Sequence, residues 1–69
     1  MPLNYASTGE TLTVKRIGGT PEVKKHLENL GFRVGGEISV VTTLNGNLIV
    51  KVKESRIALS DTLAQKIAV

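Results

Sequence analysis

The sequence contains no cysteine, so neither a disulfide nor a thiolate metal site can stabilise the fold. It has no tryptophan and only one tyrosine and one phenylalanine, so few aromatic side chains could stack on nucleobases. No apolar run exceeds three residues, which excludes a membrane-spanning helix. Because residues 1–10 lack the basic and apolar regions of a signal peptide, we expect a cytoplasmic protein.

The chain has 69 residues, which suits a single domain, and we expect residues 1–69 to form it. A hydrophobic share of 41% supplies a core that is almost entirely aliphatic. The formal net charge of +3 is a mild bias, which favours encounters with anionic partners without identifying one.

One helix, over about residues 21–30, is delimited at both ends. Thr20 is a good N-cap, and Pro21 suits the first helical position, where a missing N–H costs no hydrogen bond. Gly31 is placed to end the helix in a left-handed conformation. Phe32 can then fold back and pack against Leu27. An apolar stripe with helical spacing contains Val23, Leu27 and Leu30.

Short strands are predicted from alternating apolar residues and from the glycines between them. They cover residues 11–17 (with a bulge near 15–16), 37–43, 48–53, 55–59 and 67–69. Within the fourth strand, Ile57 and Leu59 should point inward, and Asp61 should cap a helical turn near residues 61–65. About five short strands with one helix predict a mainly β fold, a small closed or partly open barrel.

The register of the hairpin depends on the length of its loop. A two-residue turn at Asn45-Gly46 would pair Val40 with Lys51 and mix core and solvent positions on one face. A three-residue loop over residues 44–46 avoids this mixture, and we predict it. It pairs Thr42 with Leu48, Val40 with Val50, and Ile38 with Val52.

The order of these segments resembles the FeoA family over almost the whole chain. The segments are Val14-Lys15-Arg16-Ile17-Gly18-Gly19, His26-Leu27-Glu28-Asn29-Leu30-Gly31-Phe32, Gly35-Gly36-Glu37-Ile38-Ser39-Val40, Arg56-Ile57-Ala58-Leu59 and Ala64-Gln65-Lys66-Ile67-Ala68-Val69. The resemblance implies an SH3-like barrel and a regulatory role in bacterial ferrous-iron uptake, through contact with the cytosolic part of the FeoB transporter. Two departures from the family pattern are Val34, where proline is frequent, and Ser55, where glycine is frequent.

Catalysis is not expected, because the chain has one histidine, no cysteine and no serine in a nucleophile motif. Glu22 and His26 are four residues apart on the helix and could share a face. Two side chains do not make a metal site, so we interpret both as solvated and predict no tight iron binding and no cofactor.

Basic residues supply the candidate partner surface. Lys24, Lys25 and His26 are consecutive on the exposed part of the helix, and Arg33 follows its end. Arg56 begins the strand that carries part of the family pattern, where it could instead bind a turn carbonyl. The simpler interpretation of the helix cations is a solvated surface.

Two other functions stay open at this stage. One is an SH3-like nucleic-acid-binding domain, which the lack of exposed aromatic residues disfavours, so no nucleic acid is expected as partner. The other is a regulatory domain related to those of metal-dependent repressors. The membrane would be reached only through the transporter, and an exposed strand edge leaves homo-oligomers open.

Overall fold

The computed structural model describes residues 1–69, whose strands form two antiparallel sheets. The strands are β1 (Thr11–Thr13), β2 (Arg16–Ile17), β3 (Glu37–Leu44), β4 (Asn47–Val52), β5 (Ser55–Ser60) and β6 (Ile67–Ala68). Four of them lie in the order β1-β3-β4-β5, and β2 pairs with β6. The helices are α1 (Pro21–Asn29) and α2 (Asp61–Ala64), with a 3₁₀ turn at Leu3–Tyr5. Neither α-helix has the length and apolar character needed to cross a bilayer.

The start of α1 is as predicted. Thr20 has an extended backbone, and its hydroxyl oxygen accepts a hydrogen bond from the Val23 N–H at 3.3 Å. This bond satisfies one of the amides that the first helical turn leaves without a partner. Pro21 occupies the first helical position, where its fixed φ suits the helix.

The end of α1 is a Schellman motif. The Phe32 N–H donates to the Leu27 carbonyl and the Gly31 N–H donates to the Glu28 carbonyl, each at 3.0 Å. Gly31 has φ of 109°, which a residue with a side chain adopts only with strain. Phe32 is only 1% exposed, so the backbone turn that ends the helix also places the phenylalanine side chain in the core.

The predicted strand over residues 11–17 is two strands in different sheets. The break comprises Val14 and Lys15, so it overlaps the bulge predicted near residues 15–16. The Val14 N–H donates to the Gly36 carbonyl at 2.9 Å, and its carbonyl accepts from the Gly35 N–H at 2.8 Å. Val14 is therefore bound to the loop after α1, and the chain passes there from one sheet to the other.

The predicted three-residue hairpin loop is wrong. Strands β3 and β4 are joined by two residues, since Leu44 pairs directly with Asn47. Asn45 and Gly46 have φ of 51° and 79°, and positive φ at both central residues is what a type I′ turn requires. Such a turn twists in the same sense as the strands it joins, which favours it in hairpins.

A β-bulge explains how a two-residue turn is compatible with a clean core face. The predicted pair of Val40 with Val50 is confirmed, whereas Thr42 pairs with Ile49, one residue from its predicted partner. The register shifts between Val40 and Thr42, where Val41 is the extra residue. The bulge returns Val40 to the inner face, so the face mixing that argued against the short turn does not arise.

The helical turn near residues 61–65 is confirmed, but its predicted cap is wrong. Ser60, the last residue of β5, has an extended backbone, and its hydroxyl oxygen accepts from the Leu63 N–H at 3.3 Å. Asp61 is already helical, and its carboxylate accepts a hydrogen bond from the Gln65 amide at 3.0 Å. An N-cap needs an extended backbone, which Ser60 has and Asp61 has not.

The core consists of 14 buried residues, and all of them are apolar. Leu59 is fully buried as predicted, whereas Ile57 is only partly buried. The last residues close the core, since Ile67 is 0% exposed and the Val69 N–H donates to the Met1 carbonyl at 2.8 Å. The result is a small, mainly β, partly open barrel with six strands rather than five.

Candidate functional site

A solvent-open cavity of about 310 Å³, here called the cleft, lies between the loop after α1 and the ends of β3 and β4. It is lined by Val14, Gly31, Phe32, Arg33, Gly36, Glu37, Ile38, Val52 and Lys53. The four large apolar residues of this set are buried and form the floor. The three charged residues are exposed and form the rim. An apolar floor with a few polar groups is the usual composition of a binding pocket.

One wall of the cleft is a tight β-turn over residues 33–36. The Gly36 N–H donates to the Arg33 carbonyl at 3.0 Å, and Gly35 has φ of 87°, as the third residue of a type II turn requires. A Cβ on Gly36 would lie 3.1 Å from the Arg33 carbonyl oxygen, so a side chain there would require the turn to shift by a few tenths of an ångström. The hydrogen bonds from Val14 hold this turn, and with it the exposed Arg33.

The opposite wall is the end of β4 and the two-residue connection that leads into β5. Val52 pairs with Ser55, and Lys53, the first residue between them, has φ of 57°. This left-handed conformation costs a residue with a side chain about 1–2 kcal/mol. The end of α1 also lies close to this wall, because a Cβ on Gly31 would lie 3.5 Å from a methyl carbon of Val52.

The rim carries two cations, Arg33 and Lys53, and one carboxylate, Glu37. The hydrogen bonds made by side chains and by the chain terminus involve none of these three residues. The rim charges are therefore exposed to solvent and available to a ligand.

The structure places the predicted partner-binding residues in three regions. Lys24, Lys25 and His26 are exposed on α1, where successive side chains point about 100° apart around the helix axis. Arg33 lies on the rim of the cleft, and Arg56 is exposed on β5. Of the five, only Arg33 lines the cleft, and their role as a partner surface stays a prediction.

Arg56 lies directly opposite Lys51 of the neighbouring strand. Like charges in this arrangement repel each other, so the pair lowers stability rather than raising it. No side-chain hydrogen bond links Arg56 to a turn carbonyl. On its other side Lys51 lies opposite Ser39 of β3, whose hydroxyl lies 3.1 Å from the hydroxyl of Thr11 in β1. A row of hydroxyls and cations thus crosses the sheet.

Sequence reasoning missed Lys53 and Glu37 as rim residues. Each lies next to a floor residue in sequence, Lys53 after Val52 and Glu37 before Ile38. A charged residue at the end of an alternating strand is common, so neither position carries a distinguishing signal. Only the approach of the helix end to these strands makes them neighbours.

The two other chemistries considered from the sequence concern metal ions and nucleobases. Glu22 and His26 are exposed, and no three residues of the types His, Cys, Asp and Glu are grouped closely enough to hold a metal ion. Phe32 is buried as predicted, which leaves Tyr5, at 71% exposure, as the aromatic side chain available at the surface. Single-stranded nucleic acids are usually bound on several such side chains.

Comparison with known proteins identifies similar sequences along the full chain. The family model described as the FeoA domain matches residues 1–69. A protein of Methanocaldococcus jannaschii, provisionally named Fe(2+) transport protein A, is 35% identical over 68 residues, which cover 99% of this chain and 83% of that protein.

Three solved structures have a similar fold. The crystal structure of an iron uptake regulatory protein, FeoA, matches with a TM-score of 0.88 at 27% identity, over 96% of this chain and 88% of that one. The zinc complex of FeoA from Stenotrophomonas maltophilia, called a procaryotic SH3 domain protein, matches with a TM-score of 0.85 at 23% identity, over 99% and 87%. The predicted SH3-like fold is thereby confirmed. A manganese-dependent transcriptional repressor matches with a TM-score of 0.88 at 23% identity, over 97% of this chain but 39% of the repressor.

Proposed function

Because this chain belongs to the FeoA domain family, we propose that it is a non-enzymatic interaction module that regulates bacterial ferrous-iron uptake by binding the cytosolic part of a FeoB-type transporter. The observation that carries the proposal is the family match over residues 1–69. Under this proposal the chain acts as one domain in the cytoplasm and reaches the membrane only through the transporter.

The composition of the cleft suits the binding of a partner. Its rim offers a guanidinium, an ammonium and a carboxylate, which can form charge-assisted hydrogen bonds with groups of opposite charge. Apolar residues at the floor and charged residues at the rim match the general construction of protein interfaces, where an apolar centre is surrounded by polar groups.

The partner surface under this proposal includes Arg33 and the other cations predicted from the sequence, Lys24, Lys25, His26 and Arg56. All five are exposed. Exposed cations chiefly raise the rate of association with an acidic partner, so their removal should weaken binding more at low salt than at high salt.

The test is an NMR titration of the ¹⁵N-labelled chain with the GTP-binding cytosolic domain of its own organism's transporter, in both nucleotide states. We expect saturable, localised amide shifts with at least one nucleotide state. Lys25→Glu should weaken binding by about threefold or more, because it places a carboxylate in the predicted surface. Lys66→Glu makes the same charge change at an exposed residue outside that surface and serves as control. An unchanged spectrum in both states would contradict the proposal.

A second candidate function is favoured by the repressor structure. The whole fold of this chain matches less than half of that repressor, so the same domain occurs as one part of a metal-dependent regulator. If this chain acts in that way, it should bind a metal-dependent repressor of its own organism rather than the transporter. Titrating the labelled chain with that repressor distinguishes the two functions.

A further inference from the structure

The shape of the cleft suits the insertion of a small apolar group. Its volume of about 310 Å³ lies at the lower end of the range for ligand pockets, which is enough for one or two side chains. The floor residues Val14, Phe32, Ile38 and Val52 expose 1%, 1%, 1% and 6% of their surface, so an inserted group would contact the few apolar atoms that these residues leave accessible. Val34, 64% exposed at the tip of the neighbouring turn, adds apolar surface beside the rim.

The rim of the cleft carries one more positive than negative charge, and the exposed Glu54, next to Lys53 in the same connection, adds a second carboxylate nearby. Arg33 and Lys53 outnumber Glu37 on the rim. Lys51 and Arg56 do not add to this charge, because alternation along β4 places Lys51 on the face of the sheet opposite to the floor residue Val52. Arg33 and Lys53 are therefore the groups that would pair with carboxylates of a ligand in the cleft.

The cleft is formed before any ligand binds. The turn that carries Arg33 is closed by its own hydrogen bond and attached to Val14 by two more. The Schellman motif fixes the backbone of Gly31 and Phe32 on the same wall. Binding would therefore order few additional groups, which lowers the entropy cost of association.

From these three features we infer that the cleft binds an apolar side chain of an acidic segment of the partner protein, with Arg33 and Lys53 contacting the carboxylates that flank it. The inference rests on the proposed function for a protein partner, and it adds which chemistry of that partner the chain recognises. Glu37 opposes the acidic segment and limits its affinity.

The probe is a capped peptide with Leu-Phe at its centre and glutamates on both sides, titrated into the ¹⁵N-labelled chain. We expect saturable shifts of the amides of Arg33, Gly36 and Lys53. A second peptide with lysines in place of the glutamates should bind at least about tenfold more weakly, since charge complementarity is lost. A third peptide with Ala-Ala in place of Leu-Phe should also bind at least about tenfold more weakly, since it lacks the large apolar side chain that would enter the cleft.

Three variants separate the cleft from the rest of the surface. Arg33→Glu should weaken the binding of the acidic peptide by about tenfold or more. Lys66→Glu, with the same change in net charge at an exposed residue that does not line the cleft, should change affinity by less than about twofold. Glu37→Gln should tighten binding by about threefold, a gain that a folding defect cannot produce.

The inference fails if the acidic and basic peptides bind equally, if the alanine peptide matches the Leu-Phe peptide, or if the shifts are confined to α1. It also fails if hexanoate binds as tightly as the peptide, because the cleft would then be a site for a small anionic ligand. No transporter is present in these titrations. Their failure therefore leaves the proposed function standing, whereas peptide binding without transporter binding would overturn the proposed function alone.

Discussion

At the scale of single residues, Lys53 combines an unfavourable backbone with an exposed position on the cleft. Glycine would remove the cost of φ at 57°, but it would also remove one of the two cations of the rim. A two-residue hairpin connection needs a positive φ at its first residue, so the turn between β4 and β5 accounts for the conformation of Lys53.

Val34 is the second residue of the type II turn. Its N–H makes no backbone hydrogen bond, and a type II turn needs φ near −60° there, which proline supplies. We expect Val34→Pro to raise the free energy of unfolding by about 0.4–1 kcal/mol, because the unfolded chain loses freedom. Urea denaturation followed by circular dichroism measures this change.

The control for Val34 is alanine, which removes the same exposed methyl groups without restricting φ. Val34→Ala should change stability by less than about 0.5 kcal/mol. A lower urea midpoint for Val34→Pro than for Val34→Ala would show that the turn is not type II.

At the scale of elements, the hairpin shows how two local devices are coupled. The short turn at Asn45-Gly46 alone would have placed polar and apolar side chains on the same face, and the bulge at Val41 alone would also have inverted the face. Together they keep the apolar residues of the first half of β3, Ile38 and Val40, on the inner face of the sheet. The alternation of apolar and polar residues shows that the hairpin contains one extra residue. It does not show whether that residue lengthens the loop or forms a bulge in a strand.

The start of α1 yields a prediction for a single cap. Thr20→Ala removes the oxygen that accepts from the Val23 N–H, and we expect it to lower the free energy of unfolding by about 1 kcal/mol. Chemical denaturation checks this. Thr20→Ser keeps the oxygen and should retain most of the stability, so equal losses in the two variants would mean that the cap contributes nothing.

At the scale of the whole molecule, the two-stranded sheet joins residues from the first and the last part of the sequence. Strand β2 pairs with β6, and the N-terminal residues add a bridge between Pro2 and Ala68. The side chains of Ile67 and Val69 complete the core that the four-stranded sheet begins. The small sheet is therefore stable only when the chain ends have met.

Ile67 tests this dependence. Ile67→Ala should lower the free energy of unfolding by about 2–5 kcal/mol, because the residue is completely buried. A chain of this length has a total stability of roughly 3–10 kcal/mol, so a substantial unfolded fraction is expected at 37 °C. Thermal denaturation measures this unfolded fraction. Ile49→Ala, at a partly exposed position of β4, should cost clearly less, and equal costs would contradict the packing described here.

The sequence by itself determined the features that depend on neighbouring residues. The bounds of α1 and the conformation of Gly31 were predictable, because caps and helix stops are satisfied within about five residues. Strand positions followed from alternation and glycine punctuation, and the FeoA resemblance followed from the order of these segments. Of the cleft, Arg33 alone was predicted as a binding residue.

Only the tertiary structure decided which segments became neighbours. The change of sheet at Val14 depends on hydrogen bonds to Gly35 and Gly36, which lie more than twenty residues further along the chain. The cleft depends likewise on the end of α1 approaching Val52. Such contacts result from how the whole core packs, and no local pattern of apolar and polar residues encodes that arrangement, so Lys53 and Glu37 became rim residues only when the chain folded.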